Sequence, residues 1–152
     1  MSLLNIFQIS GSGLTAQSLR MNTIASNISN AEATAASDDE VYRARHPVFT
    51  TGEPQFGDVF AQSQFVGSAG FAADAGQGVQ VAGIVESQAP LPKRYEPSHP
   101  MADEQGYVTY PNVNVVEEMA DMISASRNYQ TNASLMDSGK KMMESLLSIG
   151  QG

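Results

Sequence analysis

Proline is confined to the middle of this 152-residue chain, and its placement constrains the fold more than any other feature. All seven prolines lie between Pro47 and Pro111. Because proline interrupts the hydrogen-bond ladders of helices and sheets alike, its absence from both ends leaves long helices possible there. The two ends are therefore expected to differ in structure from the centre.

The C-terminal end has the stronger helical pattern. One row repeats every seven residues at Val115, Met122, Tyr129, Met136 and Met143, and a second row lies four residues on at Met119, Ser126, Ala133, Lys140 and Leu147. These spacings predict one stripe of a helix from about residue 115 to residue 149. Asn114 can cap its start, Glu117 stands at the third helical position, and Gly150 can end it.

The N-terminal end repeats the same period more faintly. Its row is Phe7, Leu14, Met21 and Ile28, with Ile24 and Ala31 beside it. The sequence Ser-Gly-Ser-Gly at residues 10–13 opposes a helix, because each interior glycine costs about 1 kcal/mol against alanine. Two interpretations remain open: the helix breaks there, or the small residues let another backbone approach closely.

Neither helix can bury its apolar stripe alone, so the simplest prediction pairs the two ends with each other. The stripes are wider than one partner covers, and the surplus predicts contacts with other copies of the chain. Five of the eight methionines lie in the C-terminal helix. They fit either an ordinary helical core or a seam that packs against several non-identical neighbours.

The middle of the chain reads as strands and turns. Residues 79–85 (VQVAGIV) and 107–110 (YVTY) predict strands, and residues 42–49 alternate loosely. Residues 90–100 contain four prolines and predict an extended linker or loop, whereas residues 57–74 support no structural prediction. The expected fold is α+β, with terminal helices in regions 1–34 and 112–152 and a small β-rich region at 35–111.

Charge and composition argue against several classes of function. The net charge is −8, and residues 35–111 contain ten acidic and four basic residues, so nucleic acid is not an expected partner. The chain has no cysteine, which excludes thiol nucleophiles and thiolate metal sites. No apolar run approaches the roughly 18 residues that cross a bilayer, and the start, MSLLNIF, lacks the basic residues of a cleaved secretory signal.

No catalytic constellation is recognisable. His46 and His99 both precede proline and belong to no metal-binding motif. The acidic pair Glu117–Glu118 suits the positive end of a helix, and the glycines at 11–13 and 76–78 lack the spacing of phosphate loops. We therefore predict no enzyme, no metal, no cofactor and no small-molecule substrate.

Several segments resemble the flagellar rod and hook proteins. Residues 18–30 (SLRMNTIASNISN) are similar to the N-terminal signature of that family. Residues 42–49 (YRARHPVF), the stretch from 83 to 132 and the closing SIGQG resemble its proximal-rod members. The resemblance implies a structural subunit of the basal-body rod that is exported by the flagellar type III apparatus and polymerises in the periplasm. It also implies a coiled-coil layer of terminal helices around the export channel.

The implied partners are other copies of the chain and the rod proteins FlgB, FlgF, FlgG and FliE. Assembly contacts expected from the stripes are Phe7, Leu14, Met21, Ile24, Ile28, Val115, Met119, Met122, Tyr129, Met136, Met143 and Leu147. Those carried over from the matched motifs are Asn22, Asn27, Asn30, Asn112, Asn114, Glu117, Arg127, Tyr129 and Gln130. For each asparagine, a local cap competes with a bond to a neighbour. A soluble coiled-coil adaptor or an export-chaperone-like protein is the alternative function.

Overall fold

The computed structural model describes residues 3–35, 37, 39–51 and 78–150. Helix α1 spans Leu3–Ser29 and helix α2 spans Val115–Gly150. The described residues between them form four strands, β1 (Arg45–Thr51), β2 (Val79–Glu86), β3 (Lys93–Tyr95) and β4 (Tyr107–Thr109). The predicted α+β fold with long terminal helices is confirmed.

Helix α1 continues through the Ser-Gly-Ser-Gly segment, so of the two open interpretations the close approach of another backbone is the one observed. A Cβ added to Gly13 would lie 2.8 Å from the Asn132 amide nitrogen of α2. Ser12 donates to the Ile9 carbonyl at 2.8 Å and accepts from the Val79 amide at 3.0 Å. Small residues are needed at Ser12 and Gly13 because the start of β2 and α2 approach α1 there, whereas a Cβ on Gly11 would meet nothing within 4 Å.

The two helices run antiparallel. Residues near the start of α1 contact residues near the end of α2, and residues near the end of α1 contact residues near the start of α2. The Phe7 ring lies 3.3 Å from a Cβ placed on Gly139, and Arg20 Nη2 lies 3.1 Å from Asp121 Oδ1. On α2, the side facing α1 carries a row seven residues apart at Glu118, Ala125, Asn132 and Gly139. These residues are small or polar, which lets the backbones pack closely.

The strands form two separate antiparallel pairs. β1 pairs with β2, with an irregularity between Val48 and Phe49, and β3 pairs with β4. Strands were predicted correctly at 79–85 and 107–110. Residues 90–100 are not loop throughout, because the proline-free Lys93–Tyr95 pairs with β4. The stretch 57–74, for which no structural prediction was made, lies outside the described residues.

The β1–β2 ribbon is fastened to α1 at both of its ends. Asn27 bonds to the backbone of Arg45, where β1 begins, and Ser12 bonds to Val79, where β2 begins. The 15 residues between Ser12 and Asn27 span about 22 Å of helix, and seven strand residues span about 23 Å. The ribbon therefore lies along the helix instead of projecting from one point.

The buried core of the described residues is small. Its apolar members are Ala16, Ile24, Val41, Ala44, Val108 and Ala125. The largest side chains with less than 2 % exposure are those of Val108 and Asn27. The described residues therefore bury no leucine or aromatic side chain to this extent. Since stabilisation scales with the apolar area buried, the described residues of one copy gain limited stabilisation from their own core.

Candidate assembly interface

Asn27 is a fully buried polar residue with four hydrogen bonds. Its Nδ2 donates to the Arg45 carbonyl at 2.8 Å and to Glu118 Oε1 at 2.9 Å, and its Oδ1 accepts from the Arg45 amide at 3.0 Å and from the Tyr42 hydroxyl at 2.8 Å. The side chain is 0 % exposed, and both amide hydrogens and both lone-pair directions are used. We call this group the Asn27 junction; it joins α1, the start of β1 and α2.

Glu118 and Tyr42 are the members of the Asn27 junction that sequence reasoning missed. Glu118 was interpreted as a helix-start charge, but it is only 6 % exposed. Its Oε2 is buried with no hydrogen-bond partner in the described part of the chain, so within that part the bond to Asn27 positions the carboxylate. Nothing in the sequence signals this contact, because Asn27 and Glu118 are 91 residues apart.

The other predicted asparagines divide by role. Asn30 Nδ2 donates to the Ser26 carbonyl at 2.8 Å, and Asn114 Oδ1 accepts from the Val116 amide at 3.2 Å. Both are local caps, at the end of α1 and at the start of α2. Asn112 instead ties two loops together, because its Oδ1 accepts from the Ala44 amide at 2.8 Å and its Nδ2 donates to the Ala89 carbonyl at 3.0 Å.

A groove runs along the flank of the helix pair. It is lined by Leu14, Thr15, Ser18, Leu19, Asn22 and Tyr129 and has a volume of about 390 Å³. Three of the predicted contact residues, Leu14, Asn22 and Tyr129, meet in this groove. Within the described part of the single chain it is open to solvent, and we call it the flank groove.

The remaining predicted contacts fall into an inner and an outer set. Ile24 is buried, and the partly buried members are Phe7, Met21, Ile28, Met122 and Met136. The exposed members are Val115, Glu117, Met119, Arg127, Gln130, Met143 and Leu147. The inner set is shielded from solvent within one copy, and the outer set is exposed on the described part of the chain.

The exposed apolar surface of α2 extends beyond the predicted residues. Val116, Ile123, Leu135, Met142 and Leu146 are also at least half exposed. A helix that already has one helical partner yet keeps this much apolar surface in water is typical of an assembly component.

Ion pairs support the helices from the outside. Arg20 of α1 meets Asp121 of α2 at 3.1 Å, and Lys141 meets Asp137 one turn away at 2.8 Å. The hydrogen bond and the charge of Lys141 lower the pKa of the Asp137 carboxyl, and Asp137 raises the pKa of Lys141 in return. Both groups are exposed, so their contribution is modest and screened by salt.

Within the described residues, no group of three or more histidine, cysteine or acidic side chains is arranged to hold a metal ion. The same part of the chain contains no helix long and apolar enough to cross a membrane.

The segments that match known protein families contain most of α1 and of α2. A family model described as "Flagella basal body rod protein" matches residues 7–35, and one described as "Flagellar basal body rod FlgEFG protein C-terminal" matches residues 104–149. The chain is similar to the flagellar basal-body rod protein FlgC of Escherichia coli O6:H1, with 46 % identity over 99 % of this chain and 100 % of the relative. The chain belongs to the FlgC family.

FlgC proteins of other bacteria match over their full length as well. The FlgC of Salmonella typhimurium is 44 % identical over 99 % of this chain, and that of Borreliella burgdorferi is 39 % identical over 100 % of it, each along 100 % of its own length. The FlgC-family chain is therefore a structural subunit of the flagellar basal-body rod. This result confirms the resemblance and decides for a rod subunit over a soluble adaptor.

Proposed function

We propose that this FlgC-family chain polymerises through α1 and α2 into the proximal rod, as part of the drive shaft around the export channel. The observation that carries the proposal is the exposed apolar surface that α2 retains after pairing with α1. Further subunits would bury this surface, and each buried Å² of apolar area contributes roughly 25 cal/mol. Helix contacts repeated around the channel would transmit torque without any catalytic site.

The proposed partners follow from the same surface. Other copies of the chain and the rod proteins FlgB, FlgF, FlgG and FliE would supply the neighbouring helices, and the flagellar type III apparatus would deliver the subunit to the periplasm without a cleaved signal peptide. The small core of the described residues supports this route, because a marginally stable chain unfolds readily for export. The proposal includes no enzymatic activity, no nucleic acid and no small-molecule substrate. In this proposal, regions 1–34 and 112–152 form the inner helical layer of the rod, and region 35–111 lies on its exterior.

Deletion of the gene tests the proposal directly. Loss of external flagella on electron micrographs, restored by the intact gene, is the expected result. Normally flagellated deletion cells would exclude a rod function.

A point substitution tests the role of the exposed apolar surface. Leu147 is 65 % exposed, so Leu147→Asp should leave the isolated chain folded while placing a charge in a dry interface of the assembly. We expect loss of motility with a normal circular dichroism spectrum. Ser148→Asp is the matched control, since it adds the same charge at the next exposed position of the helix. Equal motility of the two variants would contradict the proposed interface.

A further inference from the structure

Helix α2 places its methionines in two different environments. Met119 and Met142 are 56 % and 58 % exposed, whereas Met122 and Met136 on the same helix are partly buried. The susceptibility of a thioether to oxidation follows its exposure to solvent. The first pair is therefore expected to react sooner than the second, although all four residues belong to one helix.

Methionine is the chain's only sulfur nucleophile, because the sequence contains no cysteine. With hydrogen peroxide, a lone pair of the thioether sulfur attacks one peroxide oxygen, so an S–O bond forms as the O–O bond breaks. The departing oxygen takes the proton of the transferred oxygen and leaves as water. The sulfur is oxidised by two electrons to a sulfoxide and the peroxide is reduced to water, so no further reactant is needed.

Each of the two exposed methionines of α2 lies in the middle of an exposed apolar stripe. The stripes are Val116–Met119–Ile123 and Leu135–Met142–Leu146. Their spacings of three, four and seven residues place each set on one face of α2. A sulfoxide adds a polar oxygen at the centre of such a stripe, and burying that oxygen without a hydrogen-bond donor is unfavourable. Oxidation therefore makes the surface less suited to a dry contact.

We propose, on the basis of the assembly function proposed above, that hydrogen peroxide modifies Met119 and Met142 of the free chain and that the two sulfoxides keep this chain out of the rod. In an assembled chain the same sulfur atoms are covered, so the modification is confined to chains that have not yet assembled. Enzymatic reduction of the sulfoxides restores the apolar surface. The two methionines thus make competence for assembly depend on oxidation state.

Peptide mapping tests the selectivity of the reaction. The purified chain is treated with hydrogen peroxide for increasing times and digested, and fragment spectra locate each added oxygen. Met119 and Met142 should be oxidised several-fold faster than Met122 and Met136. In urea the four rates should become equal, because exposure then no longer differs. Equal rates in the folded chain would overturn the proposal.

Substitutions test the effect on assembly. Glutamine imitates the sulfoxide, since its carbonyl oxygen is an acceptor on a side chain of similar length, and it is a good helix former. Met119→Gln with Met142→Gln should reduce the number of flagellated cells several-fold and leave the circular dichroism spectrum of the purified chain unchanged. Met119→Leu with Met142→Leu keeps the surface apolar and should assemble normally. Met101→Gln is the matched control, because Met101 is exposed but lies between β3 and β4.

The outcomes separate this modification from the rod function. Normal flagellation of the double glutamine variant would overturn the proposed effect of oxidation while leaving the rod function intact. An equal loss of flagella in the double leucine variant, or in Met101→Gln, would also overturn it, because polarity on α2 would then not be the cause. Normal flagella in cells that lack the chain would instead overturn the rod function.

Discussion

The two interior glycines of α1 offer a sharp test of the helix packing, because alanine should stabilise the chain at only one of the two sites. A Cβ at Gly11 would meet nothing within 4 Å, whereas one at Gly13 would lie 2.8 Å from Asn132 Nδ2 and 3.3 Å from its Cγ. Alanine favours the helix over glycine by about 1 kcal/mol at either position. At position 13, overpacking against α2 should cost about 1–3 kcal/mol.

We therefore expect Gly11→Ala to raise the free energy of unfolding by up to about 1 kcal/mol. Gly13→Ala should leave it unchanged or lower it by up to about 2 kcal/mol. Urea unfolding of the purified chain, followed by circular dichroism at 222 nm, measures both changes. At a typical slope of about 1–3 kcal/mol per molar urea, the two midpoints should differ by more than the experimental error.

A double-mutant cycle then identifies the contact. In the Gly13→Ala background, Asn132→Ala removes the amide that the new methyl group meets, so the two changes together should cost less than the sum of each by about 1 kcal/mol. If Gly13→Ala stabilises the chain as much as Gly11→Ala, α2 does not approach α1 at this point and the packing described here is refuted.

Three further predictions concern other parts of the molecule. Asn27→Ala should lower the free energy of unfolding by about 2–4 kcal/mol, because it leaves the buried Glu118 carboxylate and the Arg45 amide without their hydrogen bonds to Asn27. Asn22→Ala on the exposed side should change the free energy of unfolding by less than about 0.5 kcal/mol. Equal urea midpoints of the two variants would contradict the Asn27 junction. Gly106 has a φ of 83°, so Gly106→Ala should lower the free energy of unfolding by about 1–2 kcal/mol, measured as a lower thermal midpoint; an unchanged midpoint would contradict the left-handed turn. Lys141 lowers the pKa of Asp137, so their pair supports α2 above the ordinary pKa of aspartate and is lost as the pH falls through the lowered value. The helical signals of wild type and Lys141→Ala should differ at neutral pH and converge once the Asp137 carboxyl is protonated.

The sequence predicted α2 well because three independent signals agreed there: the heptad row, the Asn114 cap and the acidic first turn. It could not decide whether α1 was continuous, because the cost of Gly11 and Gly13 is local and the compensating contact with Asn132 comes from the far end of the chain. Hydrophobic periodicity also missed the row that packs against α1. That row contains Glu118, Ala125, Asn132 and Gly139, which have no hydrophobic pattern.

The candidate interface was predictable to a similar degree. Leu14, Asn22 and Tyr129 were chosen for period and motif, and the structure brings them together in the flank groove. The partners of Asn27 were not predictable, because Tyr42 and Glu118 become its neighbours only through the fold. The short strand β3 was missed for a local reason: prolines on both sides of residues 93–95 concealed three residues that can still pair.

The two fastenings of the β1–β2 ribbon have a mechanical consequence. A ribbon held at one point would pivot about that point like a hinge when pushed from the side. Here the bonds of Ser12 with Val79 and of Asn27 with Arg45 hold it at two points about 22 Å apart along α1. A sideways force on the ribbon is then opposed by a couple between these anchors, so the ribbon and the helix must turn as one body.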